Sequence, residues 1–224
     1  MRARRGSELT IRDRAQWLHA SCSAMLRRMG VRLECRGARP TQGLIGSNHL
    51  SYLDILVYAA ITPCIFVSRS DVRRWPVFGW CARWSGTIFV DRESRAGTED
   101  VAREMENALD AGVPVLLFPE GTSTDGASVL RFHPSLLEPA VRREQEMTAA
   151  AIGYRVSGGE ERDVCWYGDT SFVPHLLRTL GRVGVVAEIE FHPDRGVYGE
   201  RKVAALDLHE KVEAMRSRMK RASS

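Results

Sequence analysis

The sequence predicts an α/β fold: a mostly parallel central sheet flanked by helices, with an N-terminal amphipathic helix. Two patterns carry that expectation. Apolar, β-branched runs alternate along the chain with segments of helical period, which is how strand–helix–strand units are written. The runs are also continuously apolar rather than interleaved with polar residues, as in strands covered on both faces. At 224 residues, 44% hydrophobic and 27% charged, the chain is long enough to bury a full core without disulfide or metal staples.

Residues 10–29 read as the first helix. Thr10 with Asp13 three residues later is a capping signal, apolar residues fall at 11, 15, 18, 22, 25, 26 and 29, and Gly30 supplies the stop. The helix lies in a basic segment, residues 1–40, that holds ten arginines against three acids (Glu8, Asp13 and Glu34), whereas the whole chain carries only +4. Its apolar stripe either packs on its own domain or lies on an anionic bilayer with the arginines reaching head groups. Residues 41–224 read as a single domain. Strands are expected at 43–47, 64–68, 87–91, 113–118, 149–156 and 183–191, with helices near 51–60, 71–84, 94–111, 134–145, 172–180 and 205–221.

Several functional classes drop out. The longest uncharged stretches, Pro40–Leu53 and Ile55–Ser68, have 14 residues each, short of the roughly 18 that a membrane-spanning helix needs. Any membrane association is therefore expected to be peripheral or monotopic, on the cytoplasmic face. The five cysteines (22, 35, 64, 81 and 165) form no C-x-x-C pair, which points to a reducing compartment rather than a disulfide or zinc framework. The G-x-S-x-G elbow, the phosphate loop, G-x-G-x-x-G and H-E-x-x-H are all absent. The basic segment has no recognisable nucleic-acid module beside it, so nucleic acid is not an expected partner.

Three places at strand ends can carry chemistry, since open α/β sheets bind ligands at the carboxyl ends of their strands. Asn48-His49-Leu50-Ser51-Tyr52-Leu53-Asp54 follows an apolar strand and opens a helix. Asp54 can orient His49 as a general base; alternatively Ser51 and Asp54 form a capping box and His49 is a turn residue. Gly86-Thr87-Ile88-Phe89-Val90-Asp91-Arg92 ends a strand on an arginine, suited to bidentate contact with phosphate or carboxylate, or to a plain surface ion pair. Phe118-Pro119-Glu120-Gly121-Thr122-Ser123-Thr124-Asp125-Gly126 ends a buried strand on an acid, a glycine and hydroxyls, either a ligand cradle or an ordinary turn.

The order and spacing of these three, H-x-x-x-x-D, then G-x-x-F-x-D-R, then F-P-E-G-T, resemble the glycerolipid acyltransferase family, whose type members are the 1-acylglycerol-3-phosphate acyltransferases. The resemblance covers roughly residues 10–192. It implies that His49 is the general base on the acceptor hydroxyl, with Asp54 orienting it. It implies that Arg92 binds the acceptor head group, that Gly86 closes the turn of the second motif, and that Glu120, Gly121 and Thr122 shape the acceptor site. Trp75, Phe78, Trp80 and Trp84 line an acyl pocket, touch the bilayer or pack in the core. The acyl donor is expected to be a thioester of coenzyme A or acyl carrier protein, with no metal or redox cofactor. The acceptor is expected to be a lysolipid, first 1-acylglycerol-3-phosphate giving phosphatidic acid, and the partner surface an anionic membrane. One departure bears on the acceptor. Many members that use lysophosphatidic acid read E-G-T-R-S, and Ser123 stands here where that arginine would be. The continuation looks closer to relatives acting on lyso-ornithine lipid or other lysophospholipids. A non-catalytic lipid-binding module on the same fold is the alternative of another class, although a pure binder has no use for the His49/Asp54 pair.

Overall fold

The computed structural model describes residues 9–69, 86–90 and 95–223. Thr10 opens α1 (Ile11–Arg28) with both halves of a capping box: its hydroxyl accepts from the Asp13 N–H, and the Asp13 carboxylate accepts from the Thr10 N–H. Next come β1 (Arg32–Arg36), β2 (Leu44–Ser47) and α2 (Leu53–Ile61). β3 (Ile65–Arg69), β4 (Ile88–Val90), α3 (Arg95–Asp110) and β5 (Val115–Leu117) follow. The remainder is α4 (Glu138–Arg142), β6 (Met147–Val156), α5 (Phe172–Leu180), β7 (Val185–Gly196) and α6 (Arg201–Ser223).

The strands make one seven-stranded sheet in the order β1-β7-β6-β2-β5-β3-β4. Every neighbouring pair is parallel except β6 with β7. The mostly parallel α/β architecture read from the sequence is what forms, with one antiparallel pair making it mixed. Strand β1 was not among the expected strands. Arg-Leu-Glu-Cys-Arg alternates charged and apolar residues because it is an edge strand with no fully buried residue, and a search for continuous apolar runs passes over such a pattern. The helix expected near 134–145 is instead a 3-10 turn at Pro134–Leu137 followed by the short α4. The helix expected near 71–84, with Trp75, Phe78, Trp80 and Trp84, lies outside the described residues.

Successive residues of the central strands serve opposite faces of the sheet. Ile45, Ala150 and Ile152 join α1 and α2 in one core, while Leu44, Ala149 and Ala151 join α3 and α6 in the other. That explains the continuously apolar runs, since every position of β2 is buried. Leu44, Ile45 and Ile152 each contribute about 1.5–3 kcal/mol by their burial. The inner stripe of α1 (Ala15, Leu18, Cys22 and Leu26) is buried. Of the two readings of that stripe, the fold therefore uses it for packing on its own domain. Arg12 reaches across to the carbonyls of Ala111 and Gly112 just beyond α3. Among the described residues no helix is long and apolar enough to cross a membrane.

Candidate active site

β2 and β5 are parallel neighbours, so the first and third motifs leave the sheet side by side from adjacent carboxyl ends. β6 flanks β2 on its other side and continues past it. Asn48 uses that overhang. Its amide donates to the Ile152 carbonyl at 3.0 Å and accepts from the Ile152 N–H at 2.9 Å, so the side chain prolongs the ladder for one more step and fixes where the next residue starts.

That next residue is His49. Its Nδ1 lies 2.8 Å from Asp54 Oδ2, and its ring is stacked on Phe118, with centroids 4.0 Å apart and planes 11° from parallel. Asp54 is fully buried at 0% exposure. Oδ2 also accepts from the Leu50 and Ser51 N–H groups at 2.7 and 3.0 Å, and Oδ1 accepts from the Tyr154 hydroxyl at 2.6 Å. Four donors hold the carboxylate in a fixed position. Because that carboxylate only accepts, His49 carries its proton on Nδ1, which leaves Nε2 bare. The His49 side chain keeps 20% exposure, and no described residue bonds to Nε2. The two readings of Asp54 therefore coexist: it receives the Ser51 N–H as a cap does, and the same oxygen holds the imidazole.

Glu120, 3% exposed, ties the loops together. Oε1 accepts from the His49 N–H and Oε2 from the Leu130 N–H, both at 2.7 Å. Burial pushes its carboxyl above the usual range, against the downward pull of these two N–H groups and of His49. Gln at this position keeps one carbonyl oxygen, so one of the two N–H groups then faces an NH2. Glu120→Gln is expected to cost about 1–3 kcal/mol in denaturant unfolding; an unchanged midpoint would mean that the orphaned N–H reaches water. Gly121 sits at φ 73°, a conformation that strains any residue with a Cβ. Its N–H closes a turn onto the Phe118 carbonyl. Thr122 beside it is exposed.

Of the two candidates from the second motif, one stands apart from this cluster. Gly86, at φ 75°, is a turn glycine entering β4, and a Cβ there would meet Arg14 of α1 and Ile65 of β3 rather than the His49 loops. Arg92 lies outside the described residues.

The sequence reading missed Tyr154, Phe118 as a stacking platform, and the part played by Trp166. Tyr154 falls near the end of an expected strand, but nothing local links it to an aspartate 100 residues earlier. Burial, and next the nearby Asp54 charge, push the Tyr154 hydroxyl well above its ordinary pKa, so it is a committed donor. Trp166 joins the motifs: its main-chain N–H donates to the Leu50 carbonyl at 2.8 Å, and its carbonyl accepts from the Ser123 hydroxyl. The Thr124 N–H in turn donates to the His49 carbonyl at 3.0 Å. Behind them Arg216 of α6, only 4% exposed, grips Glu161 with both terminal nitrogens and reaches the Gly126 carbonyl.

Comparison with known proteins is consistent with this geometry. The acyltransferase family model matches residues 17–153, a span that holds the first and third motifs. A lyso-ornithine lipid O-acyltransferase of Rhodobacter capsulatus is 35% identical over 181 residues, covering 77% of this chain and 64% of that protein. The chain thus spans a little under two thirds of that relative's length. A protein of the same name in Brucella abortus is 36% identical over 187 residues, covering 77% of this chain and 70% of that one. A 1-acyl-sn-glycerol-3-phosphate acyltransferase of Neisseria gonorrhoeae is 28% identical over 152 residues, covering 68% of this chain and 60% of that one. Among solved structures, the 1-acyl-sn-glycerophosphate acyltransferase PlsC of Thermotoga maritima superposes with a TM-score of 0.69 at 16% identity, covering 92% of this chain and 79% of that chain, which supports the fold.

Proposed function

The chain belongs to the acyltransferase family, and on that premise we propose that it moves a fatty acyl group from an acyl thioester, of coenzyme A or acyl carrier protein, to the free hydroxyl of a lysolipid. The observation that carries the reading is the part-exposed His49, whose Nδ1 is held by a buried carboxylate and whose Nε2 no described residue bonds. Nε2 takes the proton as the acceptor oxygen attacks the thioester carbonyl. Asp54 faces the imidazolium that forms. The C–S bond then breaks, and the proton passes from Nε2 to the leaving thiolate, so the histidine returns neutral. A thioester arrives already activated, so this route asks the chain only for a base, a positioned acceptor and a bound donor.

The motif order implies 1-acylglycerol-3-phosphate as acceptor. A second reading, lyso-ornithine lipid, is favoured by Ser123: it bonds the Trp166 carbonyl and offers no cation where relatives using lysophosphatidic acid place arginine. Arg92 is then the motif arginine left to meet an anionic head group. Both substrates carry negative charge and the acceptor resides in a bilayer, which gives a basic chain a reason to meet an anionic membrane from its cytoplasmic face.

The test is purified protein with one acyl thioester and a panel of 1-acylglycerol-3-phosphate, lyso-ornithine lipid and lysophosphatidylethanolamine, read by product mass. A diacyl product from at least one is expected; none from any would sink the reading. In the same assay Arg92→Ala should raise the acceptor KM well above any change in the thioester KM. Equal effects on the two would remove Arg92 from the head-group site.

A further inference from the structure

Among the described residues nothing covers the outer face of α5. Val173, Leu177 and Leu180 lie one helical face apart and are 55%, 65% and 44% exposed, and Val183 just beyond is 82% exposed. Three large aliphatics on one helix face, with a fourth three residues past its end, are a marked apolar surface. The inner face of α5 is fully used. Phe172 meets Tyr52 edge-on at 5.1 Å, and the Tyr52 hydroxyl lies 3.0 Å from His175 Nδ1. Tyr52 belongs to the loop between His49 and Asp54, so the helix that backs the catalytic loop presents bare aliphatics on its other side.

We propose that α5 is the membrane-docking helix: its ridge enters the acyl boundary of a bilayer and sets the His49 loop against the membrane surface. This deepens the acyl-transfer reading and rests on it for the reason that a bilayer is met. Charge favours lipid over a protein partner. From Ser171 to Ala187 the chain has Arg178, Arg182 and His175 and no acid. Arg182 is paired with Asp163 at 3.1 Å. Arg178 is exposed at the edge of the ridge and makes no ion pair among the described residues. An apolar ridge rimmed by arginine suits a plane of aliphatic chains under anionic head groups. A second copy seated on the same ridge about a twofold axis would instead bring like charges together. The apolar stripe of α1 is already buried in the fold, so that helix cannot give the same stripe to a bilayer.

The experiment is flotation of the full chain with vesicles of phosphatidylcholine, alone or mixed with phosphatidylglycerol. The wild type should float with both, and more with the anionic mixture. Leu177→Gln/Val183→Gln should lower binding to both by roughly tenfold or more, because two exposed aliphatics lose their apolar destination. Arg178→Gln should lose only the anionic enhancement. Thermal unfolding of these variants should match the wild type, as should turnover on acceptor dispersed in detergent. Flotation undiminished in the double variant overturns the proposal, as does a wild type that never floats. A wild-type dimer that the double variant dissolves, with flotation unchanged, overturns it too and assigns the ridge to self-association. Lost flotation in the double variant with no acyl transfer from any lysolipid would leave the docking standing and remove only the acyl-transfer reading.

Discussion

His49→Ala should lower acyl transfer by about 10²–10⁴-fold, the usual worth of a positioned general base, while the protein stays folded. Among the described residues the ring makes one hydrogen bond, to Asp54, and one stack, on Phe118. The anchors of the loop are main-chain: the His49 N–H on Glu120 and the His49 carbonyl under Thr124. Truncation keeps both. The lost stack is worth about 0.5–1.5 kcal/mol, so unfolding by denaturant should shift only modestly. The substitution also leaves the Asp54 carboxylate and its three remaining donors in place, so the expected signature is a fall in kcat with acceptor and thioester KM values close to wild type. Near-normal turnover in a folded His49→Ala protein would remove His49 from the mechanism.

What the sequence exposes of this site follows from what is local. His49 and Asp54 are five residues apart on one turn, and Glu120-Gly121 close a second turn; each carries its own signal of acid, glycine or histidine after an apolar run. The strands are legible for the same reason, because a strand buried on both faces is written as a run. The partners that finish the site are contacts across the sheet. Tyr154 reaches Asp54 from β6, Asn48 borrows the backbone of Ile152, and Trp166 receives Ser123. Their residue types are ordinary, and only the neighbouring order of β6, β2 and β5 brings them together. Strand β1 stayed hidden because an edge strand is half solvated and reads as charged. The amphipathic pattern of α1 was plain, but periodicity cannot say whether an apolar stripe meets protein or lipid; the packing on α2 decides it.

Asp54→Asn should lower kcat by about 10²–10³-fold with little change in stability, and the reason lies in its four hydrogen bonds. Three of them converge on Oδ2, from His49 Nδ1 and from the Leu50 and Ser51 N–H groups. An asparagine can turn its carbonyl or its NH2 toward that corner. The NH2 would face two buried backbone donors, so the carbonyl takes the place of Oδ2 and the histidine keeps its tautomer. The NH2 then points at Tyr154, whose hydroxyl can rotate to accept. Geometry survives, and what is lost is the negative charge opposite the imidazolium. A unit charge at about 4 Å and an effective dielectric near 20 is worth about 4 kcal/mol, which the transition state feels and the neutral ground state does not. Asp54→Ala separates the two roles: it orphans the Leu50 and Ser51 N–H groups and the Tyr154 hydroxyl, so stability should fall by several kcal/mol along with activity. Tyr154→Phe removes one donor from Oδ1 and leaves the other three, so its effect on kcat should be roughly tenfold or less, because the hydrogen bond is made in the ground state as well as in the transition state and only the difference reaches kcat. Turnover and denaturant midpoints of the three variants, measured together, check this ordering. Full turnover in Asp54→Asn would reduce Asp54 to a helix cap. A loss in Tyr154→Phe as large as that in Asp54→Asn would mean that the tyrosine, rather than the charge, holds the pair in working order.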